Sequence, residues 1–277
     1  MGMTERRKIM KKVRKMVSRS GAPDPYAYFT KVICSIGNGK YDLWKVWQAF
    51  VMLNAIALSN LHDQANALER TRTYNEIARN FTCEEVALMH HLLDVVAIEL
   101  GKNPDQDFLG EIFMNLGLNN HWTGQYFTPY NICKLISMIS CQNSVSMIEQ
   151  QGMFYLNDPA CGACATLIAG VNNIAYALNE AHPELQWIDH VVVIGQDIDP
   201  IAGLMGYIQL SILGYCGLIK IGDTLSDPIR EDETDLSKYW LMPWYRLCYL
   251  EQPCQTTVSA RADELEDDMP LIVEREV

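Results

Sequence analysis

The sequence predicts an α/β protein, a helical leading part followed by a parallel sheet whose strands alternate with helices. After residue 120, three short apolar runs (153–156, 190–195 and 217–221) alternate with two helix-length segments, 165–179 and 201–213. Strand, helix, strand, helix, strand with short joins is the pattern of a doubly wound sheet. Before residue 120, apolar residues recur at helical spacing and no strand signal occurs. A third observation bears on function: each strand runs into an aspartate, Asp158, Asp197 or Asp223. In such sheets ligands sit beyond the carboxyl ends of the strands.

The elements follow in order. Trp44, Trp47, Val51, Leu53, Ile56 and Leu58 form a helical run closed by Ser59–Asn60. Thr82 stands as an N-cap before Glu84 and Glu85, and Val86, Leu88, Met89, Leu92, Val95 and Leu100 make the face behind it, up to Gly101. A third helix covers Phe108 to Leu116 and stops at Gly117. Thr128–Pro129 starts the next, a capping hydroxyl with proline at the first helical position, and Ile132, Leu135, Ile136 and Ile139 are its expected buried face. From Ser226 the pattern weakens into a charged loop at 227–238, an aromatic stretch at 239–250 and an acidic tail at 263–277. The expected organisation is a helical domain over 1–120, a sheet domain over 121–262 and the tail.

The chain is acidic, with a net charge of −12, but its first 20 residues carry eight basic side chains against Glu5. A polyanion contact through charge alone has to use that segment. Nine cysteines lie among apolar residues, and Cys34, Cys83, Cys133, Cys141 and Cys216 read as small core residues in a reducing cytoplasm. The basic run is followed by Ser18–Arg19–Ser20–Gly21 rather than an apolar segment, so it is no secretory signal. Residues 201–219 are free of charge, yet Gln209 and four glycines interrupt them, so the expectation is no membrane span.

The loop from Asp158 to Cys164, Asp-Pro-Ala-Cys-Gly-Ala-Cys, joins a strand to a helix, and its small residues let backbone approach a ligand. It lacks the Lys–Ser/Thr pair of a triphosphate cradle and the three-glycine dinucleotide pattern. An acid before the turn suits a ligand with a cationic amino group, and an acid ending the second strand suits a ribose diol. An aspartate in this position also serves as a turn former or helix cap. Neither Cys161-x-x-Cys164 nor His90–His91 has a second pair or partner at metal spacing in the sequence, so no metal site is expected.

Asn157–Asp158–Pro159–Ala160–Cys161–Gly162–Ala163 resembles the S-adenosylmethionine motif of N6-adenine DNA methyltransferases. Gly124–Gln125–Tyr126–Phe127–Thr128–Pro129 and Asp107–Phe108–Leu109–Gly110–Glu111 resemble segments upstream of it in the modification subunits of type I restriction systems. Gly195–Gln196–Asp197–Ile198–Asp199–Pro200 and Gly222–Asp223–Thr224–Leu225 match the next two motifs, in the same order. The resemblance implies a Rossmann-like methyltransferase domain with S-adenosylmethionine as cofactor. It implies that Thr128 and its neighbours Gln125, Tyr126 and Phe127 hold the methionine carboxylate. Asp158, Pro159 and the backbone of Ala160, Cys161 and Gly162 then line the methionine and sulfonium end. Asp197, where the family usually has glutamate, takes the ribose hydroxyls, Ile198 packs on adenine, and Asp223, with Thr224, meets the adenine amino group.

The family also carries an Asn-Pro-Pro-Tyr/Phe motif, whose first residue accepts hydrogens from the target amine and whose ring stacks on the flipped base. No such tetrapeptide occurs here; the nearest segment is Met242–Pro243–Trp244–Tyr245, with a weakly accepting thioether in the acceptor position. About 50 residues follow Asp223, which suggests a truncated domain with no target-recognition domain. Two functions fit. One is an adenine-N6 DNA methyltransferase of a restriction-modification or mobile-element system. The other is a non-catalytic cofactor-binding subunit or regulator, with a partner subunit supplying specificity or catalysis. DNA contact falls to residues 1–20 or to the partner.

Overall fold

The computed structural model describes residues 24–37, 39–118, 126–230 and 236–245. Among the described residues, five helices form the leading part: α1 (Pro25–Ser35), α2 (Leu43–Ser59), α3 (Ala67–Ala78), α4 (Cys83–Lys102) and α5 (Phe108–Asn115). Then come α6 (Tyr130–Ser140), α7 (Ser144–Gln151), β1 (Phe154–Asp158), α8 (Ala165–Ala181), β2 (Val191–Asp197), α9 (Pro200–Ile212), β3 (Cys216–Ile221) and β4 (Tyr239–Leu241). The sheet order is β1-β2-β3-β4, with the first three strands parallel and β4 antiparallel to β3. The basic segment, Gln125 and the acidic tail lie outside the described residues.

Local chemistry explains the helix starts. Thr82 accepts from the Glu85 N–H at 3.2 Å while the Glu85 carboxylate accepts from the Thr82 N–H at 2.8 Å, a reciprocal box that begins α4. Asp24, Asp42 and Asp107 cap α1, α2 and α5 through their carboxylates. The α1 and α3 helices were not expected from the sequence. In α3 the mean hydropathy is low and Arg70 is its one buried residue, so periodicity gives little signal.

The charge-free stretch after Asp199 becomes α9, the central helix. Every residue from Ile201 to Leu210 is buried, between the sheet on one side and α2 on the other. An all-round apolar helix of 13 residues belongs in a core, and no described helix is long and apolar enough to cross a membrane. One continuous core runs from Phe29, Trp47 and Phe50 of the leading helices to Leu204, Ile208 and Ile219 at the sheet.

Three expectations need correction. Thr128 does not cap α6: Pro129 occupies the cap position and no side chain caps the helix. The expected buried face of α6 is exposed, with Ile132, Leu135, Ile136 and Ile139 between 43% and 65% accessible. The helix meets α8 through its other side, where Cys133 sits among Ala165 and Ala169 and the Ser137 carbonyl accepts from Asn173. Small residues permit that close approach, and a hydrophobic stripe does not say which side the rest of the chain covers. Cys34 and Cys83 are exposed rather than core, while Cys133, Cys141 and Cys216 are buried as expected.

The edge strand β4 is fastened by the helical part. Arg70 donates to the Tyr239 carbonyl at 2.7 Å, pairs with Asp63 at 2.7 Å and lies 4.0 Å from the Trp240 ring centre. His62 Nε2 lies 2.9 Å from the Leu241 carbonyl.

The exposure of the α6 row predicts that Leu135→Gln and Ile139→Gln each change stability by less than about 0.5 kcal/mol. Leu167→Ala, which empties a core position in α8, costs about 2–5 kcal/mol. Urea denaturation of the three variants checks this, and a large loss at Leu135 would restore the buried-face expectation.

Candidate functional site

The site is built where β1, β2 and β3 end side by side, in register from Asp158↔Gly195 to Asp197↔Ile221. Their loops are laced together. The Cys161 N–H donates to the Gln196 carbonyl at 2.9 Å, Gly162 N–H to Asp197 Oδ2 at 2.7 Å, and Gly222 N–H to the Asp197 carbonyl at 2.9 Å. Thr224 Oγ1 reaches the Pro159 carbonyl at 2.5 Å. Beneath β3, the fully buried Lys220 pairs with Asp227 at 3.0 Å and donates to the Pro228 carbonyl, fixing the segment that carries Asp223. Gln196 ties the same segment through the Gly222 and Asp227 carbonyls.

Each strand-end aspartate supports its own loop. Asp158 accepts from Ala160 N–H at 3.0 Å and from the Thr166 hydroxyl. Asp197 accepts from Gly162 and from Asp199 N–H, and burial pushes its carboxyl above the usual range against those two donors. Asp223 accepts from Leu225 N–H and the Ser226 hydroxyl, which hold its carboxyl below the usual range. All three therefore form turns. A carboxylate has about four lone-pair sites, so these contacts leave acceptor capacity for a ligand.

A cavity of about 90 Å³ opens beside the β1 loop, lined by Tyr126, Phe127 and Thr128 on one side and by Asp158 and residues 160–163 on the other. Asp107, Cys133, Ala165 and Thr166 complete it. Gly162 (φ +52°) takes a left-handed turn that a side chain disfavours, and a Cβ there would stand 3.1 Å from the Phe127 ring. Cys164, at φ +68°, is the one described non-glycine residue in that region, and Gly206 makes room for its thiol. The Cys161 and Cys164 thiols are buried, and burial raises Cys164, so they are packing groups rather than a thiolate pair.

The family model for N-6 DNA methylases matches residues 106–249. This chain belongs to the N-6 DNA methylase family. No curated protein matches it. Among solved structures, it is similar to a chain from Listeria monocytogenes described provisionally as a class I S-adenosylmethionine-dependent methyltransferase. Identity is 12% and the TM-score 0.41, over 74% of this chain and 55% of that one. The present chain thus spans about half the length of that protein.

Membership in the methylase family implies S-adenosylmethionine, and the residues fit its amino-acid end. By this measure one water needs about 10–15 Å³, so the cavity takes a head group rather than a nucleoside. It carries two carboxylates, Asp107 and Asp158, and the Thr128 hydroxyl. The residues expected at the nucleoside end lie outside it: Ile198 is 67% exposed, while Asp197 sits behind the Gly162 turn. A larger apolar cleft of about 510 Å³, with Trp44 and Phe81, lies beside Asp199 and Pro200 at the start of α9. Gln125 is outside the described residues.

The Met242 segment is elsewhere. Met242 N–H donates to the Gly217 carbonyl at the amino end of β3, opposite the strand ends that carry the cavity. At about 3.3 Å per residue, five residues of β3 place it roughly 16 Å from Gly222. Met242 is fully buried and Tyr245 packs with Val192, Cys216 and Leu218. Met242, Pro243 and Tyr245 are therefore not a degenerate acceptor motif at the cofactor; they pack the far end of the sheet.

Three residues that shape the site have no site role assigned from the sequence: Asp107, Gln209 and Lys220. Gln209, fully buried in α9, donates to Asp107 Oδ1 at 2.8 Å and to the Ala163 carbonyl at 3.0 Å, and accepts from Leu109 N–H. The available signal was a polar residue inside an apolar helix.

Burial raises the Asp107 carboxyl from 3.8 to about 6, against the lowering effect of the Gln209 and Gly110 donors. The folded protein then binds this proton more tightly than the unfolded chain, so its contribution favours folding increasingly as pH falls from 7 toward 4. Asp107→Asn is expected to stabilise the ligand-free protein at pH 7.5 by on the order of 2 kcal/mol, with the advantage shrinking toward pH 5. Urea denaturation across pH reads it. Asp197→Ala strands the Gly162 and Asp199 N–H groups and is expected to weaken S-adenosylmethionine binding by about 1–3 kcal/mol. Unchanged affinity in a calorimetric titration would remove Asp197 from the site.

Proposed function

We propose that this chain holds S-adenosylmethionine for adenine-N6 methylation of DNA in a restriction-modification or mobile-element system, and that a partner subunit supplies the acceptor for the target amine. Bound at the strand ends, the cofactor supplies an electrophilic methyl carbon. The chain's residues orient it: Thr128 and the turn at 160–162 meet the amino-acid end, Asp197 the ribose, and Ile198 and Asp223 the adenine. Direct in-line attack by an exocyclic amine needs a hydrogen acceptor beside the methyl group. The observation that carries the division of labour is the location of Met242–Tyr245 at the opposite end of β3. Free thiols at all seven described cysteines suit a cytoplasmic setting. The basic run at 1–20 suits phosphate contact, which adds affinity but reads no sequence.

Calorimetric titration with S-adenosylmethionine and S-adenosylhomocysteine is expected to show binding of both, and radiolabelled methyl transfer to DNA by the chain alone is expected to be nil. Met242→Asn is expected to restore no transfer and to cost about 1–3 kcal/mol of stability by burying an amide. Methylation by the unmodified chain alone would overturn the partner reading, and absence of cofactor binding would overturn the whole.

A further inference from the structure

The cavity beside the β1 loop has a one-sided electrostatic character. Among the described residues it is lined by two carboxylates and by no lysine, arginine or histidine. Asp158 has both oxygens engaged, with Ala160 N–H and the Thr166 hydroxyl. Asp107 is arranged differently. It is 6% exposed, and its Oδ1 takes both neighbouring donors, Gly110 N–H at 2.9 Å and Gln209 Nε2 at 2.8 Å. Its Oδ2 receives no hydrogen bond from the described residues. That atom lies over the first turn of α5, where a Cβ on Gly110 would come within 2.0 Å of it. Glycine at 110 is thus required by the carboxylate, not by the backbone, which is ordinary helix there. On a carboxylate so largely withdrawn from water, an oxygen that keeps its lone pairs and borders the cavity is stabilised by a cation taken up there.

We propose that Asp107 is the acceptor for the ammonium group of the cofactor's amino-acid end, held for that purpose by Gly110 and Gln209. This rests on the S-adenosylmethionine reading above and extends it to a residue outside the strand ends. The ligand carries a sulfonium and an ammonium against one carboxylate, so a wall with two acids and no base matches its charge. The Thr128 hydroxyl remains for the ligand carboxylate. The groups facing Asp107 are Glu111 on its own helix, Tyr26 on α1, Cys133 on α6, and Asp158, Cys161 and Cys164 on the β1 loop; α9 presents only the uncharged Gln209. None supplies a positive charge, so protonation of Asp107 near pH 6 removes the attraction.

Asp107→Asn keeps an oxygen for both existing donors and changes the charge alone. The full chain and this variant are titrated calorimetrically with S-adenosylmethionine and with 5′-methylthioadenosine, which has the nucleoside and thioether but no amino-acid head group. The expected result is at least a tenfold loss of S-adenosylmethionine affinity in the variant with unchanged methylthioadenosine affinity. The wild-type affinity for S-adenosylmethionine falls below pH 6 while that of the variant stays flat. Equal S-adenosylmethionine affinity in both proteins overturns the assignment, as does a parallel loss of both ligands, which marks a structural role. Methylthioadenosine binding without S-adenosylmethionine binding in the wild type refutes the head-group site while leaving a nucleoside site standing. Failure of the wild type to bind either compound removes the cofactor reading itself.

Discussion

The structure turns on one side-chain amide. Gln209 lies toward the end of the most apolar of the described helices, where an unsatisfied amide costs about 1–3 kcal/mol per group, and all of its principal bonding capacity is used. Its oxygen accepts from the first turn of α5, and its nitrogen reaches both the α5 cap and the loop after β1. The helical part and the methyltransferase sheet are therefore joined at a point with fixed directions. Apolar packing alone would hold them together without setting the angle at which Asp107 meets the cavity.

The same economy appears at the strand ends. Backbone groups of the β1 loop bond to β2, those of the β3 loop bond to β2, and Thr224 returns to Pro159. Lys220 and Gln196 secure the outer loop from underneath, using a buried cation that would be prohibitive without Asp227. The aspartates that line up in the sequence thus form the turns at the strand ends, and their carboxylates keep acceptor capacity beyond those bonds. A carboxylate accepts several hydrogens at once.

The alternation of apolar runs and helical segments made the three parallel strands and their crossover helices legible, each to within one or two residues. The loop chemistry was legible too, since glycine and proline beside acids mark tight turns. What stayed hidden depended on partners far along the chain. The α6 stripe was visible as a stripe, but Cys133 and Ser137 proved to be its contact side. The antiparallel entry of β4, which removes Met242 from the cofactor end, is set by Arg70 and His62 more than 160 residues away. Asp107 stood out only as the first residue of a familiar segment, with no role attached, and the space it borders exists only once β1 and α6 are in place.

The unusual backbone at Cys164 has a practical consequence. Its thiol is sealed against Gly206 at the point where α8 leaves the cofactor loop and α9 crosses behind it. A reagent reaches that sulfur only when the two helices separate. Followed at that one residue, the alkylation rate of Cys164 becomes an internal clock for how often the cofactor loop comes apart, readable without any ligand or enzymatic assay.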